Sequence, residues 1–403
     1  MEDFIKSQIL PTIKYLPSSL LKSYFISKSN SETEKIAEKP GFIKGICHPG
    51  ERLDLVKECG LQWVRVDIPF PYNSDGSISE SYIGFKEKLR RFKEKGFKNM
   101  VISPYPEHYI EYGLDPRIKE NESKIEDIAR FLITDLKGLA DGMQITNEQG
   151  IPRFTLPLTI EESARFIGIN ARAMFPLRGD IIIGYNCAGP QTDLNVLMKP
   201  YLKFIDYVGI DIYMGCFFFG TMWIFDALLR YLYTLTKKPV MLCEFGYISG
   251  GAPKSKEEKN DIIKSYGFAN EKEARANITA FLENFPERMK EYVKKCAVKP
   301  EHYADYIFKS EFTNHFYREL PRLTVIPGYP HTPEGQAKFY KDIIKRLRKY
   351  DFLCGMFIYC WEDSSKCYVC GQSDCPTETR WGLVDLNEEP KPSYYAVKEE
   401  FNK

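Results

Sequence analysis

Eight short runs rich in β-branched and aromatic residues, separated by amphipathic stretches, constrain the fold of this chain more than any other feature. They are FIKGICH at 42–48, QWVRVDI at 62–68, KNMVISP at 98–104, GMQITNE at 142–148, DIIIGYN at 180–186, DYVGIDIY at 206–213, PVMLCEFG at 239–246 and CGMFIYCW at 354–361. Between them, segments such as Glu80 to Gly96, Ser123 to Leu139, Thr159 to Phe175 and Thr332 to Tyr350 place apolar residues three and four apart, as one-sided helices do. Strands alternating with helices predict a parallel sheet, and eight such units close most economically into a (β/α)8 barrel.

Two segments stand outside the repeat. Residues 1–40 read as a helical arm ending in a polar linker, Ser27 to Lys39, ahead of a barrel domain over 41–403. A longer excursion, 248–330, separates the seventh run from its helix. Loops that follow barrel strands lie on the active face, so this insertion is expected to wall or cover the site and to favour a closed pocket over an open groove.

Composition narrows the function classes. The 403 residues exceed the roughly 250 of a bare barrel, which leaves room for the arm and the insertion. Basic and acidic residues nearly cancel, 56 against 55, so no field suited to nucleic acid or an anionic membrane is present and a neutral partner fits. No segment approaches the roughly 18 apolar residues of a membrane span, and the acidic start MEDF does not read as a secretory signal. With 11 cysteines and no export signal, a cytoplasmic chain with reduced thiols is expected. Cys187, Cys243 and Cys360 sit within apolar runs and read as core. Oligomeric state leaves no signature in the sequence.

Catalytic groups in such a barrel sit where strands end. The fourth run ends in Asn147-Glu148 and the seventh in Glu244-Phe245-Gly246. Two carboxylates carried by different strands onto one rim suit glycoside hydrolysis, in which one protonates the leaving oxygen and the other attacks the sugar or activates water. Either glutamate alone would be unremarkable as a surface or capping residue; the pairing of ordinal strand positions is what carries the reading.

At these residues the chain resembles the clan-A glycoside hydrolases, retaining β-glycosidases and endoglycanases on (β/α)8 barrels, over about Phe42 to Phe401. The resemblance implies Glu148 as acid/base and Glu244 as nucleophile, with Arg65 and Tyr213 contacting the nucleophile and Trp361 flooring the sugar subsite. The stretch WGLVDLNEEPKPSYYAVKE at 381–399 looks like the clan's closing region. Asn147 can hydrogen-bond the sugar 2-hydroxyl, and Glu362 and Asp363 can accept from other hydroxyls. His48 and His108 follow the first and third runs and are candidates to line the pocket, or to satisfy backbone groups instead. Asp67 and Asp115 read as structural. The expected partner is a carbohydrate, handled without an organic cofactor.

A second local signal is Cys367-x-x-Cys370-Gly-x-x-x-Cys375-Pro. Three sulfurs this close, with Cys354 or Cys360 as fourth, form a candidate structural zinc site, the rival being a disulfide or free thiols. Two other functions compete with the glycosidase: a catalytically inactive carbohydrate-binding barrel, and a cysteine-centred metal or redox protein on a barrel scaffold.

Overall fold

A computed structural model describes residues 41–403 except 218, 219, 311 and 321–324, together with Pro17 and Leu21. The predicted arm, 1–40, lies outside the described residues apart from those two positions. Eight parallel strands close a barrel in sequence order: β1 Ile43–Cys47, β2 Trp63–Asp67, β3 Lys98–Ile102, β4 Gly142–Gln144, β5 Ile182–Ala188, β6 Tyr207–Ile212, β7 Val240–Phe245 and β8 Leu353–Ile358. Each lies within or across the run that predicted it. Helices cover the outside, including Glu80–Glu94, Glu122–Asp135, Ile160–Met174 and Pro333–Leu347, each within a residue or a few of the amphipathic stretch that foretold it. Among the described residues no helix is long and apolar enough to cross a membrane.

Alternation along the strands sorts side chains between two cores. Ile43, Trp63, Met100, Tyr207, Met241, Cys243 and Phe357 fill the barrel interior, while Val64, Val66, Val208, Ile210 and Leu242 face the helices. Glycine makes room where the interior is tightest: a Cβ at Gly184 would meet the Tyr207 ring at 2.4 Å. The same parity carries polar residues inward at the C-terminal ends. Arg65 lies two residues after Trp63, and Asp211 follows Tyr207 by four.

Strand β7 departs from this parity at the residue that matters most. With Met241 and Cys243 facing in, strict alternation would send Glu244 outward. Register shifts occur against β6 between Ile210 and Asp211 and against β8 between Leu242 and Phe245, after which Phe245 joins the outer core. A bulge of this kind re-aims a side chain, and Glu244 lines the cavity at the barrel mouth.

The 248–330 insertion folds as short helices with a separate apolar cluster containing Phe281, Phe285, Phe308 and Phe316. Part of the loop after β8, Cys367 to Cys375, joins that same cluster. Both excursions therefore pack together above the strands' C-terminal ends, as loops that follow barrel strands must.

Candidate active site

At that end lies a cavity of about 910 Å³, within the range of roughly 300–1,000 Å³ usual for small-ligand sites. Arg65, Asn147, Glu148, Tyr213 and Glu244, all anticipated from the sequence, line it together. Arg65 is 2% exposed and holds the group in order. It donates from Nη1 to Glu244 Oε1 at 2.5 Å, from Nη2 to Asn147 Oδ1 at 2.6 Å and from Nε to Gln144 Oε1 at 3.0 Å. Tyr213 donates its hydroxyl to the other Glu244 oxygen. Both oxygens of Glu244 are thus fixed by donors, one from β2 and one just past the end of β6.

Asn147 and Glu148 are aimed by a backbone that leaves regular strand geometry. Thr146 and Glu148 both take left-handed conformations, φ 55° and 44°, at a cost of order 1–3 kcal/mol each. Gln144 Nε2 secures the bend by donating to Thr146 O at 2.8 Å, and Asn186 Oδ1 accepts from the Glu148 amide at 2.9 Å. Asn147 Oδ1 receives hydrogen bonds from Arg65, from Asn186 Nδ2 at 2.8 Å and from Gln144 Nε2 at 3.1 Å. With the oxygen saturated, the amide nitrogen is the atom Asn147 presents to the cavity.

Electrostatics set Glu148 apart. Burial and the nearby Glu244 charge push its carboxyl up to about 8, so it carries a proton at neutral pH. Asp211, paired in register with Glu244, sits in the same cluster and is also driven well above the usual carboxylate range by burial and by the charges of Glu244 and Glu148. Asn186 Nδ2 donates to Asp211 at 2.5 Å. Burial would favour loss of the Arg65 proton, but the surrounding negative groups, Glu244 first among them and Asp211 after it, together outweigh burial and keep the guanidinium charged. Removing that cation strands buried carboxylate charge. Arg65→Ala is expected to destabilise the fold by about 3–5 kcal/mol, seen as a lower urea midpoint at unchanged m-value.

Other sequence expectations fare differently. Trp361 is fully buried away from the cavity, its Nε1 donating to Glu388 at 3.2 Å and its ring packing on Tyr394. Tyr359, two residues earlier, and Trp381 line the cavity in its stead; their rings meet edge-on, centroids 5.8 Å apart, and each also packs on Tyr213. His108 does not line the cavity: its Nδ1 accepts from the Tyr105 amide at 3.2 Å and caps the helix Pro106–Glu111. His48 does line it and packs edge-on to Tyr359. Asp67 also reaches it, accepting from Tyr105 OH at 2.5 Å, whereas Asp115 is tied to Arg117. Asp363 is held by Lys391 and the Gly382 amide, and Glu362 lines an adjoining cavity of about 520 Å³ that shares His48 and Tyr359.

The far wall comes from the excursions. Tyr292, Tyr306 and His315 enter from the insertion, and Tyr368 and Glu378 from the loop after β8. Arg153, just beyond Glu148, lies over the Tyr368 ring and donates to its hydroxyl.

No protein-family model matches the chain, and no curated protein matches it. Solved structures do. A GH53 catalytic domain from Ignisphaera aggregans is 19% identical over 92% of this chain and 99% of its own, with a TM-score of 0.55. A GH2 β-galacturonidase from Eisenbergiella tayi is 14% identical with a TM-score of 0.51, covering 92% of this chain and 53% of its own. Bacteroides uniformis β-glucuronidase gives the same identity and score over 92% and 35%. This chain thus spans about half or less of those last two enzymes. What is shared at these identities is the barrel fold.

Proposed function

We propose that the protein is a retaining glycosidase that cleaves β-linked glycosides or oligosaccharides by double displacement. One observation carries this reading: two glutamates from the ends of β4 and β7 line one cavity in opposed environments. Glu244 is an ion pair with Arg65 and also accepts from Tyr213, while Glu148 is pushed up to about 8. Pairs of titratable groups whose surroundings separate them in this way divide the acid and nucleophile roles between them.

In the first step Glu148 gives its proton to the glycosidic oxygen as Glu244 attacks the anomeric carbon, forming a glycosyl ester and releasing the aglycone. In the second, the Glu148 carboxylate takes a proton from water, which opens the ester and returns the sugar with its original configuration. The presented amide nitrogen of Asn147 can donate to the 2-hydroxyl, a contact that strengthens as positive charge grows on the ring. Tyr359 and Trp381 supply flat apolar faces for the sugar. The chemistry needs only the two carboxyl groups and water.

The shared fold with GH53 and GH2 domains supports a carbohydrate substrate, and aromatic walls around polar groups support it further. A panel of 4-nitrophenyl β-glycosides, followed by proton NMR of the first sugar released, tests both reaction and stereochemistry. The β-anomer is expected first. An initial α-anomer would mean inversion, which needs the carboxyl groups about 6.5–9.5 Å apart instead of about 5–5.5 Å. Failure of the protein to turn over, or be labelled by, any β-configured glycoside or cyclitol epoxide would leave the inactive carbohydrate-binding barrel as the better account.

A further inference from the structure

The cysteine cluster after β8 meets a histidine that no spacing in the chain joins to it. His315 lies on the short helix Phe312–Tyr317 of the insertion, 52 residues before Cys367, yet its Nδ1 stands 3.4 Å from Cys367 Sγ and 3.9 Å from Cys375 Sγ. These three ligand atoms all fall within 4.8 Å of one another. Cys370 sits on the same turn as Cys367, and its own amide donates to Cys367 Sγ at 3.4 Å. All four residues are buried. Cys354 and Cys360, the fourth partners suggested by sequence, instead turn their thiols to the carbonyls of Val240 and Glu362.

We infer that Cys367, Cys370, Cys375 and His315 bind one zinc ion. A tetrahedron with Zn–S near 2.3 Å and Zn–N near 2.0–2.1 Å has edges of roughly 3.5–3.8 Å, and the two histidine–sulfur distances fall on either side of that range. The turn is already shaped for a metal. Cys367-x-x-Cys370 is followed by Gly371 at φ 73°, and the amides of Val369 and Cys370 donate to Cys367 Sγ at 3.3 and 3.4 Å. Such donors suit a thiolate bound to a cation. With Nδ1 facing the sulfurs, Nε2 of His315 faces Glu378 Oε1 at 3.9 Å, which puts a carboxylate on the side of the ring away from the sulfurs, where a ligating imidazole commonly meets one. A disulfide between any two of the three sulfurs would leave the third beside an unused, buried imidazole, and no pair is bonded.

Binding releases the proton of each thiol that enters as thiolate and ties the insertion to the loop after β8. Because His315 and Glu378 also line the main cavity, the ion would hold that wall in place. The site stands whether or not the chain cleaves sugars.

The full chain, purified without chelators, is expected to contain one zinc per molecule by elemental analysis. Its zinc X-ray absorption should show three sulfur neighbours and one nitrogen, and Co²⁺ exchanged into it should give the intense visible bands of a tetrahedral thiolate site. H315A and C370S should each lower metal retention and the melting temperature; should they fail to fold, the spectra of the wild type still decide. Absence of stoichiometric zinc after purification in its presence, a first shell of oxygen, bound iron in its place, or a disulfide among the three cysteines in the native protein would overturn the inference.

Discussion

Glu244→Ala is expected to lower turnover of any β-glycoside substrate by about 10⁴-fold or more, the loss usual when a covalent nucleophile is deleted. The reason is local. Glu244 receives Arg65 on one oxygen and Tyr213 on the other, so its deletion removes the carboxylate that these two donors hold. Alanine leaves a space about the size of a small anion next to the uncompensated Arg65 guanidinium, which is 2% exposed. Azide should enter that space, attack the anomeric carbon of an activated aryl β-glycoside from the side Glu244 vacated, and yield an α-glycosyl azide. Mass spectrometry and NMR of the product check this. A variant that keeps a substantial fraction of wild-type kcat, or that forms β-azide, would remove Glu244 from the nucleophile role. Stability should fall too, because Arg65 loses its ion-pair partner, so a Glu244→Gln control, which keeps a hydrogen-bond acceptor, separates folding from chemistry.

Most of the fold was legible because strand parity and helical period act locally. The resemblance to the clan-A hydrolases is what set Arg65 beside the nucleophile, whereas a run such as QWVRVDI splits into two faces by alternation. The same rule would have found Asp211, a carboxylate inside the apolar run DYVGIDIY and on the parity of Tyr213, as well as Gln144 and Asn186 within their own strands. Asp211 and Gln144 sit inside their runs and not at the final residues, where the chemistry of a barrel is expected. Trp361 illustrates the opposite error: its run was read as strand to the end, but β8 stops at Ile358, and the chain beyond carries Tyr359 into the cavity while Trp361 goes to the outer core. Glu244 faces the site only because β7 is irregular, a feature with no signature in VMLCEF. His315 lay beyond reach for a different reason, since nothing in its surroundings announces that an insertion will fold back onto a loop 52 residues further on.

Glu148→Ala tests the other half of the mechanism, and its effects should depend on leaving group and on pH. Loss of a general acid costs about 10²–10⁴-fold for a glycoside whose aglycone needs protonation. Far less should be lost in the first step for an aglycone such as 2,4-dinitrophenolate, which departs unaided, so the glycosyl ester accumulates and azide accelerates its release as β-glycosyl azide. The alkaline limb of kcat/KM, set in the wild type by a carboxyl pushed up to about 8, should vanish in the variant. The same shift has a stability signature. Glu148 binds its proton more tightly in the fold than in the unfolded chain, where its ordinary value is 4.5, so its favourable contribution is complete below about pH 4.5 and is lost as pH rises to about 8. Glu148→Gln, which cannot ionise, should therefore gain stability relative to the wild type across that interval, by an amount on the order of a few kcal/mol in urea unfolding at successive pH values. A difference that stays flat from pH 4.5 to 8, together with an alkaline limb unchanged in Glu148→Ala, would show that another group, with Asp211 the nearest, carries the proton.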